Sequence, residues 1–446
     1  MPTIGAGRCA KAALALLLVL TLSACVSQSC GPAPAPAPGL AAFYSALGEL
    51  ENGTRTRAVS ILHLGDSHIA ADRFSGDLAA RFQVRFGDGG RGHFPPAEPF
   101  PYFARQGYEV SASEGWHIAN SQRPDAPGPF GLTGIRAQSG SAADFMRLAA
   151  RAGAFSSFAV DVWGAPEGGS FQLFLDGEEA GIFSSKGHGL IRVALKGGMA
   201  SRAELRPMGD GPVTVLGWGS APAARGVLYE AQGIPGARLS ILERWDEDVL
   251  RAELEALKPD LIILDYGTNE GFDDALSPVQ YKRLLGQTLR RLGEWAPGAS
   301  LAVIGARSGA RLPSYLKTGA ERRTYPCVPL ALNEKAKYPA LLAQESPVLA
   351  RWHAPPSLGA VRAAQEEAAA AEGAFFWNAA TAMAAGEGAA CAIHTWVLAE
   401  PPLAYSDHVH LTPAGAERLA ARFWEALMGP YEAAQCRARG AGNALF

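Results

Sequence analysis

Between about residues 105 and 222 the chain stops alternating strands with helices, and that interruption limits its architecture more than any other feature. Ahead of it, the buried-strand pattern "AVSILHLG" (58–65) is followed by "RFSGDLAARFQVRFG" (73–87), where Phe74, Leu78 and Phe82 recur along one helix face. Behind it, "GVLYEAQG" (226–233), "DLIILDYG" (260–267), "SLAVIGA" (300–306) and "AFFWNAA" (374–380) read as strands. Helical stretches over 244–257, 278–295, 358–373 and 412–428 separate or follow them. Such alternation predicts an α/β fold: a doubly wound parallel sheet with helices on both faces. Inside the interruption, "SFAVDVWGA", "SFQLFLDGEEAGIF", "GLIRVALKGG" and "PVTVLGWGS" alternate apolar and polar residues between closely spaced turns. Only a short Ala-rich piece near 141–152 reads as helix there. The expectation is an antiparallel β-sandwich inserted through a loop at one end of the sheet.

A chain with 48% hydrophobic and 19% charged residues suits a folded core rather than disorder. Its net charge of −3, with no dense Lys/Arg stripe, argues against nucleic acid as a partner. At the N-terminus, Arg8 and Lys11 precede the apolar run "AALALLLVLTL" (12–22), too short to span a bilayer comfortably. Residues 1–24 therefore read as an export signal. "LSAC" (22–25) resembles the lipobox of bacterial lipoproteins, which implies lipidation of Cys25; an ordinary secretory signal with an incidental cysteine is the other reading. Residues 25–45 form a Pro/Ala tether suited to spacing a domain from a membrane surface. The lipoprotein resemblance implies a bacterial cell-envelope protein facing the periplasm and held to a membrane by its lipid. Val26, in place of an aspartate, points to the outer membrane. In that oxidising compartment Cys30, Cys327, Cys391 and Cys436 permit three disulfide pairings, between which sequence does not choose. Cys327 with Cys391 is one candidate, since both lie in loop-like segments late in the chain.

Sheets of this type bind ligands beyond the carboxyl ends of their strands, and four segments converge there. "GDSH" follows the strand at 58–64 and would present Ser67 on a tight turn at a helix N-terminus. Taken alone, Asp66 or Ser67 is more often a plain helix cap. "QGIPGARLS" (232–240) offers the unobstructed N–H of Gly236, or merely a Pro-Gly turn. "LDYGTNEG" (264–271) offers the Asn269 amide to a developing oxyanion, unless Thr268 or Asn269 only caps the next helix. "YSDHVHLTPAG" (405–415) carries Asp407 and His410 at a spacing that lets one loop aim both side chains at one place. A serine hydroxyl is a weak nucleophile until an imidazole accepts its proton, and a carboxylate then orients that ring. His408 fits less well, because Asp-x-x-His belongs to His410.

Together these four segments, in this order, resemble the SGNH hydrolases, the GDSL-like esterase superfamily. The resemblance implies a flavodoxin-like sheet over 46–104 and 223–430, a sandwich over 105–222 and a tail over 431–446. It implies Ser67, Asp407 and His410 as catalytic triad and Ser67, Gly236 and Asn269 as oxyanion hole, with no metal or organic cofactor. His68 stands where leucine is usual, and Gly267-Thr268-Asn269-Glu270 replaces the usual Gly-x-Asn-Asp. Those variants, with "HVHLTPAG", look more like the periplasmic peptidoglycan O-acetylesterases, which carry a β-sandwich similar to a carbohydrate-binding module at the same place. No motif within residues 105–222 matches residue by residue. The implied activity is a serine esterase that removes O-acetyl groups from a cell-envelope polysaccharide, O-acetylated peptidoglycan above all. The alternatives are a periplasmic polysaccharide O-acetyltransferase using the same acyl-enzyme and a non-catalytic glycan-binding envelope lipoprotein. Asp66, His68 and Asp72 are expected to shape the nucleophile turn. Arg91 is expected to be a solvated loop residue, Trp377 and Trp396 core or pocket wall, and Trp163 and Trp218 buried strand residues.

Overall fold

The computed structural model describes residues 38–443 apart from 222–224, 317–323 and 385–389. The export signal, Cys25, Cys30 and the tether as far as residue 37 lie outside the described residues. No helix among the described residues is long and apolar enough to cross a membrane.

Five parallel strands form the central sheet, in spatial order Val227–Gly233, Val59–Gly65, Leu261–Asp265, Ser300–Gly305 and Phe375–Asn378. Counted along the chain this is order 2-1-3-4-5, the flavodoxin-like arrangement. Alternate side chains feed two layers. Val59, Ile61, Ile263 and Ile304 pack with the helices Ala41–Glu51, Phe74–Phe86 and Pro413–Asn443. Leu62, Leu64, Ile262, Leu264 and Val303 pack with Glu247–Leu257, Pro278–Trp295 and Pro356–Ala371. Burial on both faces is why these strands read as nearly unbroken apolar runs.

The intervening chain forms two antiparallel sheets. One runs Gly189–Ala200, Phe155–Gly164, Val213–Ala221, Ile135–Ser139, His117–Asn120, with Gly92–Phe94 also paired to Val213–Ala221. The other runs Tyr108–Ala112, Met146–Ala150, Arg202–Pro207, Ser170–Leu175, Glu178–Ser184. Phe94, Leu148, Phe158, Val160, Phe171, Leu173, Leu205 and Trp218 fill the space between them.

Several local expectations are corrected. The Ala-rich piece near 141–152 is not a helix but contains the strand Met146–Ala150, because Met146 and Leu148 alternate into the sandwich core. A period of two outweighs alanine's helix preference there. A helix begins at Ala41, within the stretch read as tether, because Phe43 and Leu47 bury against the sheet. The last helix continues to Asn443, within the stretch read as a tail, where Tyr431 is buried and its hydroxyl donates to Glu51. Cys327 and Cys391 form a disulfide with their Cα atoms 5.9 Å apart. Trp218, Trp377 and Trp396 are buried, while Trp163 is half-buried.

Candidate active site

The strand Val59–Gly65 is buried throughout and ends in a turn that only glycine admits. A β carbon on Gly65 would lie 2.5 Å from Ile69 and 2.9 Å from the Asp265 carbonyl oxygen. Asp66 then caps the short helix Ser67–Ala70, its carboxylate accepting the His68 N–H at 2.9 Å. The cap therefore belongs to Asp66, which leaves the Ser67 side chain free to project from the turn. Ser67 Oγ lies 2.8 Å from His410 Nε2.

His410 Nδ1 lies 2.7 Å from Asp407 Oδ2, so the loop 405–412 carries base and orienting carboxylate together. Asp407 Oδ1 also accepts the main-chain N–H groups of Val409 and His410, at 2.9 and 3.0 Å. Burial alone would raise the Asp407 carboxyl, but these bonds and that of the His410 ring outweigh it and bring it down to about 2. The bond to Asp407 in turn raises the His410 imidazole above its ordinary value, against the opposing effect of burial. An ionised Asp407 accepts a hydrogen bond from Nδ1–H, which keeps that proton on the ring and leaves the Nε2 lone pair facing the Ser67 hydroxyl, as a general base requires. His408 points elsewhere: its ring stacks on Trp352 at 3.5 Å and meets His394 at 2.9 Å.

Gly236 takes φ +73° in the loop after Val227–Gly233, a left-handed conformation natural to glycine. Its N–H and that of Ser67 bond to no other described group. Asn269 sits in the short helix after Leu261–Asp265, and its Nδ2 donates to the Ala237 carbonyl at 2.8 Å and to Asp66 Oδ2 at 3.3 Å. The amide thus ties the second loop to the nucleophile turn, and meeting an oxyanion requires it to release the longer bond. The structure brings Ser67, Asp407 and His410 into one chain of hydrogen bonds. Asn269 joins Gly236's loop to Asp66 beside them.

Residues 207–418 match the GDSL-like Lipase/Acylhydrolase family. A solved peptidoglycan O-acetylesterase superposes with a TM-score of 0.68 at 24% identity, over 88% of this chain and 96% of that one. This chain has the SGNH hydrolase fold. A family two carbohydrate esterase from Cellvibrio japonicus aligns over 73% of this chain and 99% of its own, at 11% identity and a TM-score of 0.27. None of the curated proteins matches the chain. The family match holds Gly236, Asn269, Asp407 and His410, while Ser67 lies ahead of it, across the inserted sandwich.

Further residues brace the site. His68 is buried with Nδ1 on Asp66 at 2.9 Å and Nε2 on the Val409 carbonyl at 3.2 Å, so its ring joins the Ser67 turn to the His410 loop. Glu270 is buried and accepts the N–H groups of Leu239 at 2.7 Å and Gly267 at 3.1 Å, tying the Gly236 loop to the Asn269 turn. Under the site Arg307 pairs through both terminal nitrogens with Asp265, at 2.5 and 2.8 Å, beside His63 and Tyr229. The only sequence signal for Arg307 is a charge placed directly after a buried strand. Arg91 is not solvated: it is buried and donates to both oxygens of Asp72, which also accepts from Ser75 and the Gln106 N–H. The sandwich also reaches the site, with the Gln122 amide 3.4 Å from where a β carbon on Gly236 would stand.

Proposed function

We propose that this protein is a serine esterase that removes O-acetyl groups from a cell-envelope glycan, with O-acetylated peptidoglycan as the preferred substrate. The observation that carries the reading is the continuous path Ser67 Oγ, His410 and Asp407, with links of 2.8 and 2.7 Å. Ser67 Oγ attacks the acetyl carbonyl as its proton passes to His410 Nε2. The resulting oxyanion meets the free N–H groups of Ser67 and Gly236 and the amide of Asn269. Collapse of the intermediate expels the sugar oxygen, which takes the proton from His410. Water activated by His410 then releases acetate and restores Ser67. The glycan reading is supported by the sandwich insert and by likeness, along nearly the full length, to a solved peptidoglycan O-acetylesterase. Attachment through a lipidated Cys25 would hold the domain against the envelope.

Acetate release from O-acetylated peptidoglycan, acetyl-xylan and a chromogenic acetate tests the assignment. Peptidoglycan should be the best of the three, and Ser67→Ala should lower release by about 10^4-fold or more while its melting temperature holds. An unchanged rate in Ser67→Ala would overturn the mechanism. Metabolic labelling with a radioactive fatty acid should mark the native chain but not Cys25→Ala.

A further inference from the structure

Beside Ser67 and His410 lies a cavity of about 470 Å³ whose walls include Arg73, Tyr102, Tyr405 and Arg307. Their charges are not equally satisfied. Arg307 is neutralised by Asp265 beneath it, and Asp407 is engaged by His410. Arg73 stands just ahead of the helix Phe74–Phe86, and among the described residues it meets no carboxylate. Its Nη1 donates to the Tyr405 hydroxyl at 2.7 Å and to the Leu411 carbonyl at 3.3 Å, with the guanidinium 5.4 Å from the Tyr405 ring centre. Leu411 adjoins His410, so the cation is anchored next to the triad while its Nε and Nη2 donors have no partner among the described residues. Tyr405 and Tyr102 keep 41% and 54% of their surface exposed, and both line the same cavity.

A guanidinium held by two bonds at one end and open at the other is preorganised for a planar two-oxygen anion. Among these walls it is the one cation without a countercharge, which suits a single carboxylate better than a phosphate that several donors would surround. The flanking tyrosines supply flat apolar faces for a sugar ring. We propose that Arg73, with Tyr405 and Tyr102, forms a sugar subsite that selects glycans bearing a carboxylate on or next to the acylated residue. This rests on the glycan-esterase reading above and narrows it to strands whose carboxylates are free, such as peptidoglycan stripped of its stem peptides, which otherwise hold the lactyl carboxyl as an amide; it also names the residue that recognises them.

The test uses N-acetylmuramic acid acetylated on its primary hydroxyl and the same sugar with its lactyl carboxylate converted to the N-methylamide. The native enzyme should favour the acid by roughly ten- to hundred-fold in kcat/KM, through KM, as for a charge-assisted hydrogen bond. Arg73→Gln should bring the acid-to-amide ratio near one, and Arg73→Lys should restore part of it. A purely structural role for Arg73 would lower both substrates alike and leave the ratio unchanged, which would overturn the proposal. So would a ratio near one in the native enzyme. If neither sugar is deacetylated, the esterase reading fails separately. Calorimetric binding of unacetylated N-acetylmuramic acid and its amide to Ser67→Ala then decides the subsite. Tighter binding of the acid that Arg73→Gln abolishes upholds it, and equal binding overturns it.

Discussion

In the proposed reaction His410 must be neutral to take the proton of Ser67, and its bond to Asp407 raises the pH at which that neutral form is reached. The activity-limiting acid limb should therefore lie above the ordinary imidazole value of about 6.5. Asp407→Asn removes the anionic acceptor, so the limb should move to lower pH while kcat falls by about 10^4-fold, since the ring loses its correct tautomer. A kcat/KM profile from pH 4 to 9 on a chromogenic acetate, for both proteins, reads the shift and the loss together. A limb that stayed in place would mean that His410 is not tuned by Asp407. The neighbouring His68 acts differently: with both nitrogens engaged by Asp66 and Val409, it holds the Ser67 turn against the His410 loop.

The loops after the second and third sheet strands are joined by one carboxylate. Glu270 takes the N–H groups of Leu239 and Gly267, so the Gly236 loop and the Asn269 turn move as a unit. Burial pushes its carboxyl up to about 7, with the bond from Leu239 opposing the rise. An acid raised in this way costs stability as pH climbs: the folded state is favoured fully below the unfolded carboxyl range of about 4.3 and progressively less until the folded value is passed. Glu270→Gln keeps one acceptor and turns an amide N–H toward the other donor, so it should cost about 1–3 kcal/mol in urea unfolding at pH 5. The variant should lose the wild-type decline in stability between pH 5 and 7, and its kcat should fall as the Gly236 loop loosens. Equal pH slopes in the two proteins would contradict this account.

At the scale of the whole molecule, a buried charge cluster couples the sandwich to the sheet. His93, on the strand Gly92–Phe94, places Nδ1 3.2 Å from Glu230 of the central sheet and Nε2 3.3 Å from Asp161 of the sandwich. Arg192 closes the group by donating to Asp161, and Gln232 links Glu230 to the His93 carbonyl. Burial alone would lower the imidazole, but Glu230 and Asp161 outweigh it and raise it to about 10. The resulting stabilisation is complete below about pH 6.5, where the unfolded ring is also charged, and is lost as pH rises towards 10. His93→Gln leaves two buried carboxylates to one arginine and should cost about 3–5 kcal/mol at pH 6. Thermal unfolding of both proteins from pH 6 to 10 should show the gap narrowing with pH. A constant gap would mean that His93 stays neutral.

Much of this was legible from residues close together in the chain. Gly65-Asp66-Ser67 announces a turn after a strand because glycine and a capping carboxylate are local needs of the backbone. Asp407 and His410 can meet because the loop that separates them is short. The apolar runs at 59–65 and 261–265 show burial on both faces, since strand geometry sends alternate side chains to opposite sides. Composition misled near 141–152, where the pairing of Met146–Ala150 with Tyr108–Ala112 overrode alanine's helix preference. Contacts between distant residues left no such trace. Arg73 meets Tyr405 across 332 residues, Arg91 finds Asp72 rather than water, and His93 bridges two domains. By itself, then, the sequence determined which side chains can do the chemistry and which backbone turns present them, because those depend on spacing along one segment. Only the tertiary structure decided what surrounds, braces and charges the site. Those relations follow from the order in which strands lie side by side and from which buried charges must find partners once water is excluded.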